Sequence, residues 1–180
     1  GGATRWWLHH SLTALDKELR DAGSRLIVRA VPRGETSLST LEALLKETES
    51  TAVFWNRRYE PANIKHDTET KGVLRSRGIT VESFNASLLL EAGSVLNQQG
   101  SPFQVFTPFW KACLAKADAI SALLPRPREV PAPATWPKSD KISDLGLLPT
   151  IPWDAGFSEQ WTPGEAGAHA RFKQFLREPI

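Results

Sequence analysis

The chain has 180 residues, of which 41% are apolar, and 22 basic against 20 acidic side chains leave a formal charge of +2. That is enough apolar material for a buried core, and the interspersed charges exclude a strongly basic arm as the main nucleic-acid-binding device. The single cysteine, Cys113, excludes an intramolecular disulfide and suits a reducing cytosol, while no apolar run approaches the ~20 residues of a membrane span. The start lacks the basic-then-apolar pattern of a signal peptide. Methionine is absent, which a fragment of a longer chain explains simply.

Leu8, Leu12, Leu15 and Leu19 recur at helical spacing, so the first element is a helix, with Thr4 as its expected cap and Gly23 just past its end. Arg25 to Val31 reads as a short buried strand, broken by Pro32, Arg33 and Gly34. The second helix carries Leu38, Leu41, Leu44 and Leu45. Ser39 and Glu42 have capping-box spacing, which puts its start at Ser39 or slightly earlier. Thr51 to Trp55 is a strand. Pro61 opens a third helix that runs to about Arg77, with Gly78 at its end, and Ile79 to Phe84 is another strand.

Strands alternating with helices predict βαβ units: an α/β, Rossmann-like parallel sheet with flanking helices. Ligands of such sheets sit beyond the carboxyl ends of the strands, which makes Asn56 to Asn63 the local candidate for a binding site. Residues 91 to 104 form a loop, and Thr107-Pro108 begins the next helix as cap and first-turn proline. Between Pro125 and Pro163 eight prolines fall in 39 residues, the composition of an extended, semi-rigid connector. Thr162-Pro163-Gly164-Glu165 then has the form of a capping box opening a last helix with Phe172, Phe175 and Leu176.

Four stretches together resemble the photolyase/cryptochrome family, most closely its bacterial members. Arg5-Trp6-Trp7-Leu8 with Ser11-Leu12 and Leu15-Asp16 is similar to the family's second helix. Phe54 to Pro61, with Asp67 further on, is similar to its fourth strand and following loop. Pro102-Phe103 and Val105 to Trp110 resemble the segment closing the α/β domain, and Trp161 to Glu165 with Arg171 and Phe175-Leu176 resembles the start of the helical domain. The resemblance implies a truncated α/β domain at 1–117, an interdomain linker at 118–160 and the first part of a helical FAD-binding domain at 161–180.

The resemblance also implies a parent protein that is a light-driven DNA-repair lyase, with FAD in the helical domain and damaged DNA as partner. The family's first strand, first helix and second strand have no counterpart ahead of Arg5. The remaining sheet is then expected to hold about three strands, the one at Arg25 pairing with the one at Ala52 or standing apart from it. No catalytic residue and no metal site are expected in this chain. An antenna chromophore (deazaflavin, folate or flavin) would be contacted by Arg5, Arg58, Glu60 and Asn63. At the folate position the family's Asn-Glu pair is replaced by Ala62 and Asn63, which speaks against folate in that mode.

Other readings of these residues stand beside the functional ones. Arg5 is also an ordinary exposed first-turn arginine, and Glu60 a carboxylate favoured beside a helix N-terminus. Trp6, Trp7, Trp55 and Trp110 read as packing residues. His9 and His10 point different ways, and Cys113 reads as a small buried apolar residue. A cryptochrome-type photoreceptor and an unrelated nucleotide-binding module are the alternative functions. The expected compartment is the cytoplasm, and the oligomeric state is not readable.

Overall fold

Both of the longer glycine-terminated helices end by the same backbone device. In the computed structural model, which describes residues 1–116, 120 and 124–178, helix α1 spans Gly2–Asp21. Gly23 N donates to Arg20 O at 3.0 Å and Ser24 N to Leu19 O at 2.8 Å, with Gly23 at φ +88°. Helix α3, Pro61–Ser76, ends alike: Gly78 N donates to Arg75 O at 3.0 Å and Ile79 N to Leu74 O at 3.1 Å, with Gly78 at φ +80°. Each glycine takes the left-handed position that a side chain would strain, as the spacing predicts.

The starts of the helices differ from expectation. Thr4 lies inside α1, whose N-cap is Gly1 without a side-chain cap. Helix α2 is Ser37–Glu47, capped by Thr36. Its capping box uses Thr36 and Ser39, because the Ser39 hydroxyl accepts from Thr36 N at 3.2 Å while Thr36 Oγ1 accepts from Ser39 N at 3.1 Å. Helix α4, Phe106–Leu114, has Val105 at its N-cap, so Thr107 does not cap it. Strands β1 (Ala52–Asn56) and β2 (Thr80–Phe84) flank α3, and a four-residue helix α5 (Phe157–Gln160) precedes α6 (Glu165–Arg177). Thr162 does not cap α6. Gly164 stands at its N-cap, and the chain folds back so closely that a Cβ on Gly167 would overlap the Thr162 carbonyl.

β1 and β2 pair in parallel, Ala52 opposite Thr80 through Asn56 opposite Phe84. Two strands make this sheet, one fewer than expected. The run Arg25 to Val31 forms no strand. Its alternate amides are taken by side chains: Leu26 N donates to Asp16 Oδ1, Val28 N to Ser139 Oγ and Ala30 N to Asp140 Oδ2.

The chain forms two compact units, Gly1–Thr48 with Arg126–Ile180, and Glu49–Pro125. In the second, the core is Leu74 of α3 at 1% exposure against Val81 of β2 at 2%, with Thr70 also buried. Arg75 of α3 donates to Val81 O at 2.7 Å. The other sheet face is open, and Phe54 and Phe84 lie on it with ring centroids 6.2 Å apart.

In the first unit Trp6, 3% exposed, packs edge-on against Phe157 at 5.2 Å and close to His10 at 4.4 Å. The proline-rich stretch is therefore more than a free spacer. Val130 N donates to Ala22 O at 2.8 Å, and a 3-10 turn at Ile142–Leu145 contacts α1. Trp6 is the packing residue expected, Trp55 is half-buried, and Trp7 and Trp110 are largely exposed. Leu8 and Leu15 of the α1 stripe are exposed while Leu12 and Leu19 are half-buried. The expected boundary at 117/118 lies outside the described residues.

Candidate functional site

The loop after β1 leaves the sheet with its ladder extended by one bond, Arg57 N to Phe84 O at 2.8 Å. From there the side chains alternate, as in any extended run. Arg58 turns towards α3 and its Nη2 donates to Asp67 Oδ1 at 2.6 Å. His66 Nδ1 lies 3.4 Å from the same oxygen, and Asp67 Oδ2 is buried with no hydrogen-bond partner. Burial alone would raise the Asp67 pKa. The Arg58 hydrogen bond and charge, with His66, outweigh it and hold the carboxyl below its ordinary 3.8. The same hydrogen bond raises the Arg58 pKa, so both partners report one interaction.

Glu60 is the N-cap residue of α3 but makes no side-chain cap. Its carboxylate accepts from Asn63 Nδ2 at 3.0 Å, which is the main cause of its lowered pKa. The structure thus joins Arg58 to Asp67 and Glu60 to Asn63. Arg5 belongs to the other unit, where its guanidinium donates to the Gly146 carbonyl.

A second network occupies the carboxyl ends of both strands. Arg57 Nη2 donates to Ser83 O at 2.7 Å, and Arg57 Nη1 pairs with Glu91 Oε2 at 2.9 Å. Tyr59 OH donates to Glu91 Oε1 at 2.9 Å, so one carboxylate ties two loop side chains to residue 91. Burial first, then the Glu91 hydrogen bond and charge, raise the Tyr59 pKa. Lys71 reaches Ser83 Oγ at 2.5 Å and lies 5.6 Å from the Trp55 ring centre. Arg57 and Tyr59 share a side of the extended loop by their spacing of two, but nothing in the sequence pairs them with Glu91, over thirty residues on.

Chemically, Arg58 spends one of five guanidinium N–H donors on Asp67, which leaves the others for a ligand. A charged carboxylate, Glu60, follows two residues later. The loop offers a fixed cation and a fixed anion beyond a parallel strand, a combination that suits a heterocycle with both acceptor and donor edges. In the other unit a cleft of about 470 Å³ is lined by His9, Asp16, Arg20, Arg25 and Lys141 among others. Two of its three cations are committed: Arg20 pairs with Asp16 at 2.8 Å and Arg25 stacks 4.4 Å from the Trp136 ring centre. Cys113 is half-buried on α4, more open than expected. Among the described residues no group of three or more His, Cys, Asp or Glu could hold a metal ion, and no helix is long and apolar enough to cross a membrane.

The DNA photolyase family profile matches residues 1–134. The chain belongs to the DNA photolyase family. A deoxyribodipyrimidine photo-lyase from Agrobacterium fabrum is 44% identical over 177 residues, covering 98% of this chain and 36% of the relative. Cryptochrome-1 of Arabidopsis thaliana is 32% identical over the whole of this chain and 26% of its own length. The crystal structure of a bacterial class III photolyase from Agrobacterium tumefaciens superposes with a TM-score of 0.89 at 42% identity, over 98% of this chain and 36% of that one. The α/β architecture is thus that of the photolyase N-terminal domain. The chain spans only about a third of the length of these photolyases.

Proposed function

We propose that this chain is the antenna-type α/β part of a deoxyribodipyrimidine photo-lyase, a light-driven repair enzyme for pyrimidine dimers in DNA. The observation that carries this reading is the pair of near full-length matches to photolyases, 44% identity to the Agrobacterium fabrum enzyme and a TM-score of 0.89 at 42% identity to a class III photolyase structure, against 32% to the Arabidopsis cryptochrome. In such a protein, 1–117 serve as the antenna-type domain, 118–160 as linker and 161–180 as the opening of the helical domain that holds FAD. Damaged DNA is the partner of the whole protein, because chemistry on a stacked base requires taking it out of the duplex. The cytoplasm is the proposed compartment.

Within this part, the loop carrying Arg58, Glu60 and Asn63 takes the antenna chromophore. The support is the local geometry: Arg58 is held charged and oriented by Asp67, and Glu60 is held by Asn63. When bound, the chromophore supplies light absorption, and the chain's own residues supply position and charge. The test is fluorescence titration of the chain with folate, flavin and deazaflavin, alongside its Arg58→Ala variant. Binding weakened at least tenfold in the variant supports the site, and equal binding by both proteins removes Arg58 from it. For the parent activity, repair of dimer-containing DNA under blue light by the full gene product is the assay. A photoreceptor without repair activity would replace the lyase reading by the cryptochrome one.

A further inference from the structure

Leu26, Val28 and Ala30 present their amides at a spacing of two, the period of an extended chain. Each amide meets a side chain where a strand would offer a carbonyl. Leu26 N donates to Asp16 Oδ1 at 2.9 Å, Val28 N to Ser139 Oγ at 2.9 Å and Ala30 N to Asp140 Oδ2 at 2.7 Å. One bond returns from backbone to backbone, Asp140 N to Val28 O at 2.9 Å. Residues 139 and 140 therefore accept two bonds from this edge and give one, which is what a neighbouring strand would do over the same length.

The flanks of that contact are fixed as well. Arg25 Nη2 donates to Pro137 O at 3.2 Å while its guanidinium lies over the Trp136 ring. Glu47 of α2 accepts from Lys138 N at 2.7 Å and also pairs with Arg29. The stretch 136–140 is thus tied to the run beside it at its start through a ring and a carbonyl, and at its middle through a shared carboxylate.

We propose that residues 136–140 are a built-in cover for the strand-like edge Leu26 to Ala30, which keeps that edge from pairing with a second copy of this chain. Leu26-Ile27-Val28 is an apolar, β-prone run, and such a run with open amides is a template for another strand. A covering strand would only move the problem outward, since its own far side would be open. Side-chain acceptors end the ladder instead. Asp140 places a carboxylate on the edge, and Pro131, Pro133 and Pro137 have no amide to donate to a further strand.

The experiment is amide hydrogen exchange and sedimentation equilibrium on the 180-residue chain and its Ser139→Ala/Asp140→Ala double variant. Val28 and Ala30 should exchange at least tenfold faster in the variant, Leu26 should keep its protection through Asp16, and the average mass should rise more steeply with concentration than in the wild type. Unchanged exchange at Val28 and Ala30 overturns the cover. Faster exchange with wild-type association overturns its role against self-pairing. If the double variant loses its helical circular dichroism, the same readouts are made on Ser139→Ala alone. Val28 should then accelerate and Ala30 should not, and equal acceleration of both overturns the assignment.

Discussion

Arg58 and Asp67 are joined at 2.6 Å from the loop after β1 to the second turn of α3, with Asp67 the more buried of the two. The pair gives a pH dependence with a definite sign. The folded Asp67 pKa is below 3.8, so its contribution is fully present above that value and is lost as pH falls through the folded pKa. Arg58 is half exposed, so solvent screening limits the pair to about 1 kcal/mol. Urea unfolding should find Arg58→Ala less stable than wild type by about that amount at neutral pH, with the difference shrinking towards zero as pH falls through the lowered folded pKa of Asp67. A difference that persists undiminished in acid would mean Arg58 acts through packing.

Among the described residues of the unit that holds the sheet, Leu74 is the most enclosed, with Thr70 and Val81 next. Leu74→Ala should cost about 2–5 kcal/mol, the range for a large side chain removed from a core. With a core this small, that is enough to unfold the unit. Loss of amide protection at Val53 and Glu82, whose N–H groups face the neighbouring strand in this register, is the readout, and retained protection there would show the sheet to be held by other contacts.

The parallel pairing of β1 with β2 was legible because each link is local: a short apolar run, a proline-started helix, a glycine stop. The run Arg25 to Val31 was not, since its fate depends on Ser139 and Asp140, more than a hundred residues away. Caps slipped for a smaller reason. Ser39 has the chemistry of a cap and of a capping-box partner alike, and only the backbone shows that Thr36 is the cap. At the site, Glu60 and Asn63 are three residues apart on a helix start and were readable together. The bonds of Arg57 and Tyr59 to Glu91 join segments that no pattern relates.

Two backbone substitutions should act opposite to habit. Gly167 lies within α6, where glycine to alanine ordinarily stabilises by about 1 kcal/mol. Here the new Cβ would overlap the Thr162 carbonyl, so Gly167→Ala should lower stability and reduce the helical signal. Glu49 follows the C-cap of α2 at φ +51°, a left-handed position for a residue with a side chain. Glu49→Gly should therefore stabilise by a few tenths to about 1 kcal/mol despite glycine's greater freedom when unfolded. Circular dichroism melts of both variants decide the signs.

Phe106 of α4 is 70% exposed and stacks nearly flat on Trp110, their planes 9° apart. Phe54 is 59% exposed on the open face of the sheet, and Phe172, Phe175 and Leu176 are exposed on α6. Such groups contribute little to folding as they stand, because they leave water only in part. They should bind a hydrophobic dye, and the chain should unfold over a broad transition below about 60 °C. Phe106→Ser/Trp110→Ser separates surface from stability: dye binding should fall while the melting temperature stays within a few degrees, since little burial is removed. A large drop in melting temperature would show that the stacked pair belongs to a core. Unchanged dye binding would place the sticky surface elsewhere, on the sheet face or on α6.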